Sequence, residues 1–368
     1  MKVEIEKKDL QSLIGKTQNI VEKRNTMPIL VNILLEADGT SLKVFATDLE
    51  VSLTDQVKAK VVQPGKVAVS AKKLFEIIKE LSEGPIKLVR KDNNWLQIEQ
   101  GRYRSQLVGV SAEEYPIFPT YNSQSFLKVD ARILKEMIDK TVYSVSNDET
   151  RYHLNGVFFE IVPGIGLKMV ATDGHRMCLI LKNIEGLKST IGQGVIIPRK
   201  GLYEIKKILE NIEGEVEIAI EGSQFILKHS SVTLMIRLIE GKYPNYQQFI
   251  PTKLPQKIRI NRDAFLSSLK KVSMMANEKS KAVLLNVSQG KMEISSNNPE
   301  LGDAKDEIEI GYTGQDLKVG FNARYIQEIL GAIQQPEIDF ELNDQLSPGL
   351  MRPHDDSSYT CVVMPMRI

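Results

Sequence analysis

The residues with the clearest potential for chemistry are Asp173 and His175, within the run Ala-Thr-Asp-Gly-His-Arg. A carboxylate and an imidazole two positions apart can act as a general acid and base or bind a metal ion. The motif therefore allows a metal-dependent hydrolase. A structural role is the alternative, because an Asp side chain also accepts hydrogen bonds from its own backbone in tight turns.

The chain repeats the surroundings of this motif. The same position reads Ala-Thr-Asp-Leu-Glu at 46–50 in the first third and Ser-Asn-Asn-Pro-Glu at 296–300 in the last. Asp and Asn can both form such a turn, but Asn cannot act as a general base. The comparison favours a turn-forming role for Asp173, whereas His175 has no counterpart in the other copies. The sequence also lacks a phosphate-binding Gly-rich loop, a nucleophile elbow and paired Cys or His clusters, so an enzyme is the weaker hypothesis.

The elements that position the motif also occur three times, with a period of roughly 120 residues. In each copy a short strand precedes an amphipathic helix, and a second helix follows after further strands. The apolar positions of the first helices are Leu10, Leu13, Ile14 and Val21, then Leu134, Met137, Ile138, Val142 and Val145, then Phe265, Leu266, Leu269 and Val272. Asp130 and Asn261 are predicted N-caps.

The second helices complete three α+β domains. Their apolar positions are Leu74, Phe75, Ile77, Ile78 and Leu81, then Leu202, Ile205, Ile208, Leu209 and Ile212, then Ile326, Ile329, Leu330 and Ile333. Prolines and polar residues cluster near 116–125 and 251–255, where we place the joins. We predict tandem domains over residues 1–124, 125–252 and 253–368, each with two helices packed on antiparallel sheet.

Composition mainly excludes classes of protein. The two cysteines, Cys178 and Cys361, give neither a disulfide framework nor the spacing of a metal site, which suits a reducing cytoplasm. The first residues do not resemble a secretion signal, and no segment has the length and hydropathy of a membrane span. We therefore expect a cytoplasmic protein without a cofactor.

The formal net charge is only +1, but its distribution is uneven. A lysine on a helix is usually ordinary solvated surface, so the set is a stronger indication of nucleic-acid binding than any member. Basic residues on or beside the predicted helices are Lys7, Lys8, Lys16, Lys23, Arg24, Lys72, Lys73, Lys79, Arg132, Lys135, Lys140, Arg199, Lys200, Lys206 and Lys207. Acidic residues gather elsewhere, as at 213–217 and 303–309.

The last ten residues are unusually apolar. A closing core strand explains Cys361 to Val363, but Met364, Pro365 and Met366 are harder to bury regularly. Proline ends sheet pairing, and methionine suits adaptable binding surfaces. The pattern indicates a peptide-binding groove beside this segment.

Four motifs in order resemble those of the bacterial sliding clamps, the beta subunits of DNA polymerase III. They are the runs at 151–156 (Arg-Tyr-His-Leu-Asn-Gly), 171–176 and 197–201 (Ile-Pro-Arg-Lys-Gly), and the ending Val-Val-Met-Pro-Met-Arg-Ile. The resemblance extends from Met1 to Ile368 and includes the repeat. It implies three tandem clamp domains and a head-to-tail homodimer that forms a six-domain ring around duplex DNA.

The resemblance also implies a function. Such a clamp tethers the replicative polymerase and confers processivity without a catalytic group, and its partners are DNA of any sequence, the polymerase alpha subunit, the clamp loader delta subunit and other clamp-motif peptides. It implies a cytoplasmic protein that associates with the nucleoid during replication. A domain of this length has a diameter of roughly 35 Å, so a ring of six leaves a hole about one domain wide, enough for a duplex. A monomeric DNA-binding scaffold remains an alternative, as does the hydrolase.

Site residues follow from the resemblance in three sets. Those that touch DNA are Arg24, Lys72, Arg151, Tyr152, His153, Arg199 and Lys200. Those that line the partner-peptide groove are Leu154, Thr172, Gly174, His175, Arg176, Met177, Pro244, Gln248, Phe249, Ser280, Asn322, Tyr325, Leu346, Pro348, Val362, Val363, Met364, Pro365, Met366, Arg367 and Ile368. Those at the dimer interface are Lys73, Leu107, Met274, Met275, Glu300, Asp303 and Asp306.

Some of these positions depart from the family pattern. Gln248, Ser280 and Pro348 stand where some clamps have Arg, Phe and Ser, which implies a different peptide preference. Asp148 and Glu149 make the loop before Arg151 more acidic than expected for a DNA contact.

Overall fold

A computed structural model describes residues 1–21, 27–122, 126–184 and 194–367. Within these ranges each third of the chain contributes two α-helices, as the apolar spacing predicts. The helices are α1 (Lys7–Gly15), α2 (Ala71–Glu80), α3 (Ala131–Asp139), α4 (Arg199–Leu209), α5 (Arg262–Val272) and α6 (Ala323–Ala332). No helix in the described ranges is long and apolar enough to cross a membrane.

Strands make up most of the remaining regular structure. The first copy contains β1 (Lys2–Glu6), β2 (Asn32–Asp38), β3 (Ser41–Thr47), β4 (Val51–Lys58), β5 (Lys60–Gln63), β6 (Gly65–Ser70), β7 (Pro85–Arg90), β8 (Leu96–Gln100), β9 (Tyr103–Leu107) and β10 (Gly109–Val110). The second contains β11 (Leu127–Asp130), β12 (Gly156–Val162), β13 (Gly166–Thr172), β14 (Arg176–Asn183), β15 (Val195–Pro198), β16 (Glu215–Glu221), β17 (Gln224–His229) and β18 (Val232–Arg237). The third contains β19 (Gln256–Asn261), β20 (Ala282–Ser288), β21 (Lys291–Asn298), β22 (Gly302–Gly311), β23 (Leu317–Asn322), β24 (Glu337–Leu342), β25 (Gly349–Pro353) and β26 (Tyr359–Val363).

The ends of the helices follow from local hydrogen bonds. Asn261 accepts a bond from the Ala264 amide at 2.9 Å, and Asp130 accepts one from the Arg132 amide at 2.8 Å, which confirms both predicted N-caps. Two of the three first helices, α1 and α3, end earlier than their apolar spacing suggested. The hydroxyl of Thr141 donates to a carbonyl of the last turn of α3 at 2.8 Å, and such back-bonding competes with helix continuation.

A threonine hydroxyl also bonds to the backbone at the end of α1. Thr17 donates its hydroxyl to the Ile14 carbonyl at 2.8 Å, so Val21 lies outside the helix. In the second copy Val142 starts a short 3-10 segment and Val145 follows it, so neither extends α3. The predicted extents of α1 and α3 were therefore wrong at their carboxyl ends, whereas α5 ends at Val272, as the spacing predicted.

The chain forms two compact units. The first comprises residues 1–135 and 200–238 and holds two sheets, with strand orders β5-β1-β7-β8-β9 and β10-β6-β2-β3-β4-β18-β17-β16-β11. Helix α1 packs against α2 and β4, and its residues Leu10, Leu13 and Ile14 are fully buried. In the larger sheet β4 pairs with β18, from Val51 opposite Ile236 to Thr54 opposite Thr233. This pairing joins the first copy to the second.

The second unit comprises residues 136–199 and 239–368. Its sheet has the strand order β15-β12-β13-β14-β26-β25-β24-β19-β22-β21-β20-β23. Here β14 pairs with β26, from Arg176 opposite Val363 to Ile180 opposite Tyr359. This pairing, which we call the β14–β26 seam, joins the second copy to the third. Helix α5 packs on α6 and on β22.

Candidate functional site

Asp173 forms a tight turn between β13 and β14. Its Oδ1 accepts hydrogen bonds from the amides of His175 at 2.9 Å and Arg176 at 3.0 Å. Asp48 accepts from the Val51 amide at 2.6 Å in the first copy, and Asn298 from the Glu300 amide at 3.0 Å in the third. The predicted turn-forming role is confirmed in all three copies.

The imidazole of His175 faces an aromatic ring. It stacks on Tyr325 with ring centroids 6.4 Å apart and an interplanar angle of 18°. No group of three or more His, Cys, Asp or Glu side chains in the described part of the chain is placed to hold a metal ion. The arrangement suits His175 as part of the wall of a binding surface.

Arg176 fixes this turn to the third copy. Its side chain is 6 % exposed and donates to Asp173 at 3.1 Å, to Glu328, and to the Tyr143 carbonyl at 2.6 Å. Its guanidinium lies 4.5 Å from the centroid of the Tyr325 ring, a cation–π contact. Burial lowers the pKa of Arg176, but its hydrogen bond to Glu328 and that carboxylate's charge outweigh burial and hold the pKa above its ordinary value. The cation therefore acts as a permanent clamp between β14 and α6.

The C-terminal segment follows this turn closely. Cys361 to Val363 lie in β26, as expected for a closing strand. Beyond the strand, the amide of Met364 donates to the His175 carbonyl at 2.9 Å, and the amide of Met366 donates to the Gly320 carbonyl at 2.8 Å. The backbone is thus anchored, while the Met364 side chain remains 41 % exposed.

An apolar cluster lies beside the seam. Three predicted groove residues, Leu154, Met177 and Val362, pack together in it. Its other buried members are Val170, Ile196, Tyr243 and Tyr246, with Phe158, Leu179, Ile239 and Ile250 partly buried against them. The ring of Phe158 stacks on Tyr243 at 5.2 Å. The sequence interpretation missed both tyrosines, although they bracket the predicted Pro244.

Other predicted groove residues surround the turn and α6. Thr172 donates its hydroxyl to the Arg176 carbonyl at 2.6 Å and accepts from the Gly174 amide at 3.0 Å. A Cβ on Gly174, whose φ is +89°, would lie 2.8 Å from Nη1 of Arg151, so that guanidinium covers the turn. Asn322 donates to the Ser280 carbonyl at 3.0 Å and caps α6.

The remaining groove predictions belong to the same unit and range from exposed to buried. Leu346 and Phe249 are 61 % and 51 % exposed, which is high for large apolar side chains. Gln248 and Arg367 are exposed, whereas Pro244, Pro348, Pro365 and Met366 are half-buried and Val363 is buried. Ile368 lies outside the described residues.

Predicted DNA contacts of the second unit gather in one loop. Arg151, Tyr152 and His153 belong to the 3-10 segment Glu149–Leu154, in which Tyr152 is 57 % exposed. Arg199 donates to the side chain of Asn147 and to the Val145 carbonyl, and so contacts the segment just before this loop.

Acidic side chains accompany these cations. Asp148 lies 2.9 Å from Nε of Arg151, and hydrogen bonds from Thr150, followed by Arg151, hold the pKa of Asp148 below its ordinary value. The loop therefore keeps a negative charge beside its arginine. In the first unit, Lys72 lies 3.7 Å from Glu76, and Lys200 pairs with Asp48. Arg24 lies outside the described residues.

Predicted dimer residues occupy both units. In the first, Lys73 pairs with Glu76 at 2.8 Å, and Leu107 ends β9. In the second, Met274 and Met275 are 73 % and 37 % exposed. Glu300 lies in the turn before β22, and Asp303 and Asp306 lie in β22, where Asp306 pairs with Lys271 at 2.5 Å.

Comparisons with known families cover most of the chain. The N-terminal domain of the DNA polymerase III beta subunit matches residues 1–119, the central domain matches 128–245, and the C-terminal domain matches 247–367. The beta sliding clamp of Caulobacter vibrioides is 34 % identical over 374 residues and covers 100 % of both chains. That of Pseudomonas aeruginosa is 32 % identical, over 98 % of this chain and 97 % of the relative.

Solved structures are similar over the same extent. The DNA polymerase III beta subunit of Pseudomonas aeruginosa superposes with a TM-score of 0.95 at 30 % identity, covering 100 % of both chains. A sliding clamp from the same organism, bound to griselimycin, gives 0.94 at 30 % identity with the same coverage. The Caulobacter crescentus polymerase III beta structure gives 0.93 at 34 % identity, again covering 100 % of both chains.

Proposed function

This chain belongs to the sliding-clamp family, the beta subunits of DNA polymerase III, and we propose that two protomers close head to tail into a ring around duplex DNA. It is a non-catalytic processivity factor of DNA replication. A hydrolase that uses Asp173 and His175 is not favoured, because the turn already engages that carboxylate. A monomeric DNA-binding scaffold is not favoured either, because the relatives are sliding clamps.

The observation that carries the dimer proposal is a strand pairing that occurs twice. The strand after the Asp turn of one copy pairs with the last strand of the next copy, as β4 with β18 and β14 with β26. The equivalent strands at the two ends are β22 and β9. In the described residues β9 pairs with β8 alone, and β22 pairs fully with β21 but with β19 only through Ile310 and Gly311. Open strand edges readily pair with another chain.

The repeat also predicts the register in which β9 of one protomer would pair with β22 of the other. Asp303 lies opposite Asn297 just as Ser52 lies opposite Thr47, so Asp303 is the equivalent of Ser52. Gln106 and Met235 are equivalent in the same way, since each lies three residues after the first paired residue of its hairpin strand. Ser52 pairs with Met235. In the dimer, Gln106 of one protomer is therefore expected opposite Asp303 of the other protomer, and Leu107 opposite Gly302.

Side chains near the two edges are complementary. Met274 and Met275 offer exposed apolar surface to Leu107, and the acidic Glu300 and Asp303 suit the basic Lys73. Apolar contacts at the centre with opposite charges at the rim are typical of protein interfaces. This arrangement supports a specific head-to-tail dimer rather than unspecific association.

The groove is proposed to bind short clamp-motif peptides of the polymerase alpha subunit, the clamp loader delta subunit and other replication proteins. The apolar cluster of Leu154, Met177 and Val362 beside the exposed side chain of Met364 supports this proposal.

Four cations are proposed to contact the phosphates of DNA: Lys72, Arg151, Arg199 and Lys200. Each has a carboxylate or carbonyl partner, which limits its attraction to phosphate so that the ring can slide. We further propose domains over residues 1–124, 125–252 and 253–368, and a cytoplasmic location with nucleoid association during replication.

The dimer proposal is tested by Leu107→Glu. Val62→Glu is the matched control, because Val62 lies on β5 at the opposite edge of the same sheet. Removing the half-buried Leu107 side chain and placing a carboxylate in the interface is expected to weaken dimerisation at least about tenfold. Sedimentation velocity over a dilution series should show Leu107→Glu shifting to monomer where the wild type and Val62→Glu remain dimers. Unchanged dimerisation of Leu107→Glu would contradict the proposed interface.

A further inference from the structure

Cys178 and Cys361 face each other across the β14–β26 seam, although 183 positions separate them in the sequence. Their Sγ atoms lie 3.0 Å apart, and both residues are fully buried. Both are free thiols. The fold therefore places the two cysteines of the chain in direct contact at the join between the second and third copies.

The register of the seam suits a covalent link. The Met364 amide donates to the His175 carbonyl, and the Leu181 amide donates to the Ser358 carbonyl, each at 2.9 Å. These bonds make His175 with Met364, and Leu181 with Ser358, hydrogen-bonded pairs of the seam. Hydrogen-bonded and non-hydrogen-bonded pairs alternate along antiparallel strands, and Cys178 lies three positions from His175 and from Leu181. The pair of Cys178 with Cys361 is therefore a non-hydrogen-bonded one, in which the Cα atoms approach to about 4.5 Å. Disulfides form over Cα separations of about 4.4 to 6.8 Å. The backbone needs little movement to permit the bond.

Polar groups surround the two sulfurs. The hydroxyl of Tyr143 lies 2.7 Å from Sγ of Cys178 and 3.6 Å from Sγ of Cys361. The same hydroxyl lies 2.6 Å from that of Tyr359, and Ser144 donates its hydroxyl to Cys178 at 3.2 Å. A structural buried cysteine behaves as a small hydrophobic residue, whereas this cluster of donors can stabilise a thiolate.

The cluster distinguishes the two thiols. Burial raises the pKa of Cys178, but hydrogen bonds from Cys361, Ser144 and Tyr143 outweigh burial and hold its pKa below the ordinary value. Burial raises the pKa of Cys361 well above its ordinary value, and the hydrogen bond to Cys178 raises it further. Cys178 is thus the thiol that ionises first and attacks, and Cys361 is the one that reacts second.

We propose that Cys178 and Cys361 are a redox-active dithiol, which a peroxide converts into a disulfide across the β14–β26 seam. The Cys178 thiolate attacks one peroxide oxygen, so an S–O bond forms and the O–O bond breaks. The leaving hydroxide takes up the proton that Cys178 released and becomes water, and Cys178 becomes a sulfenic acid. Sγ of Cys361 then attacks this sulfur, the S–S bond forms, and the departing hydroxide leaves as water with the Cys361 proton. With hydrogen peroxide as the oxidant, two thiols are oxidised to one disulfide and one peroxide molecule is reduced to two waters.

The bond would act on the seam itself. The neighbouring pairs of the seam, Arg176 with Val363 and Met177 with Val362, belong to the candidate peptide groove. A peroxide is barely larger than water and reaches a buried sulfur when a strand pair opens locally. Intracellular disulfides of this kind are usually transient and redox-sensing. Oxidation would lock the second and third copies together and, because the closed loop is long, would make the chain harder to unfold.

Hydrogen peroxide added to the reductant-free, full-length protein tests the proposal. The intact mass is expected to fall by two hydrogen atoms, and both thiols should become unreactive to a thiol reagent under denaturing conditions. A peptide pair linked through Cys178 and Cys361 should appear on digestion, and dithiothreitol should reverse every change. A mass gain from added oxygen without the linked peptides, or two thiols that persist, would overturn the proposal.

Single variants test the order of attack. In Cys361→Ala the sulfenic acid on Cys178 cannot be resolved, so dimedone should label Cys178 after peroxide treatment. In Cys178→Ala the remaining Cys361 should stay unlabelled. Labelling confined to Cys361, or label on neither residue, would refute the assigned roles. Circular dichroism confirms that each variant is folded, and the wild-type mass measurement decides the main proposal if one is not.

Discussion

The proposed peptide groove makes a quantitative prediction at Met364. Its amide is anchored on the His175 carbonyl, but its side chain is 41 % exposed, so Met364→Ala should leave the fold intact. Full burial of a methionine side chain stabilises by about 1.5 to 3 kcal/mol. A docked peptide that covers the exposed part would thus gain about 0.6 to 1.2 kcal/mol from it, a three- to eightfold effect on affinity. We expect Met364→Ala to weaken peptide binding by this factor.

Fluorescence anisotropy with a labelled clamp-motif peptide measures the effect. The matched control is Met27→Ala, because Met27 is 43 % exposed but belongs to the first unit, whereas the predicted groove residues belong to the second. The control should bind the peptide like the wild type. Equal affinities for Met364→Ala and the wild type, or an equal loss in both variants, would refute the placement of the groove at the C-terminal segment.

Two further predictions concern stability, measured by urea unfolding. The carboxylate of Glu136 lies 2.7 Å from the amine of Lys140 and 2.8 Å from that of Lys182. Burial raises the pKa of Glu136, but the hydrogen bonds from the two lysines outweigh burial and lower the pKa. The unfolded chain therefore binds more protons than the folded chain in this pH range. The ionised Glu136 stabilises the fold at pH values above 4.5, its ordinary pKa, and this stabilisation is lost as the pH falls through the lowered pKa. Glu136→Gln should therefore flatten the dependence of the free energy of unfolding on pH. An unchanged pH profile would contradict this role of Glu136. Gly201→Ala should destabilise by about 1 to 3 kcal/mol, because the new Cβ would lie 2.5 Å from Ile236. Gly331→Ala is the control: nothing lies within 4 Å, so a gain of about 0.5 to 1 kcal/mol is expected, and equal effects of the two would refute the packing argument.

Local features were largely predictable from the sequence. Apolar spacing located the helices of each copy, because a helix that buries one face must repeat its apolar residues with helical period. Comparison of the copies identified Asp173 as a turn former, because Asn298 in the same position accepts the hydrogen bond of the turn but cannot act as a general base. The ends of α1 and α3 were not predicted, because the hydroxyls of Thr17 and Thr141 compete with the backbone there.

Long-range contacts were beyond sequence reasoning. Arg176 meets Glu328 across 152 positions, and Cys178 meets Cys361 across 183. Neither contact has a periodic signature, because strand register and helix position in the folded sheet bring the partners together. The resemblance supplied Leu154, Met177 and Val362 as groove residues, but not the tyrosines at 243 and 246 that pack against them.

We propose that the dimer of this chain holds DNA by enclosing it. The most direct test loads the protein onto nicked circular DNA with its clamp loader, isolates the complex, and cuts the circle once. A ring that encloses the duplex slides off the new ends, so we expect retention on the circle and rapid release after linearisation. Equal retention on circular and linear DNA would contradict enclosure and would indicate a protein that grips DNA directly.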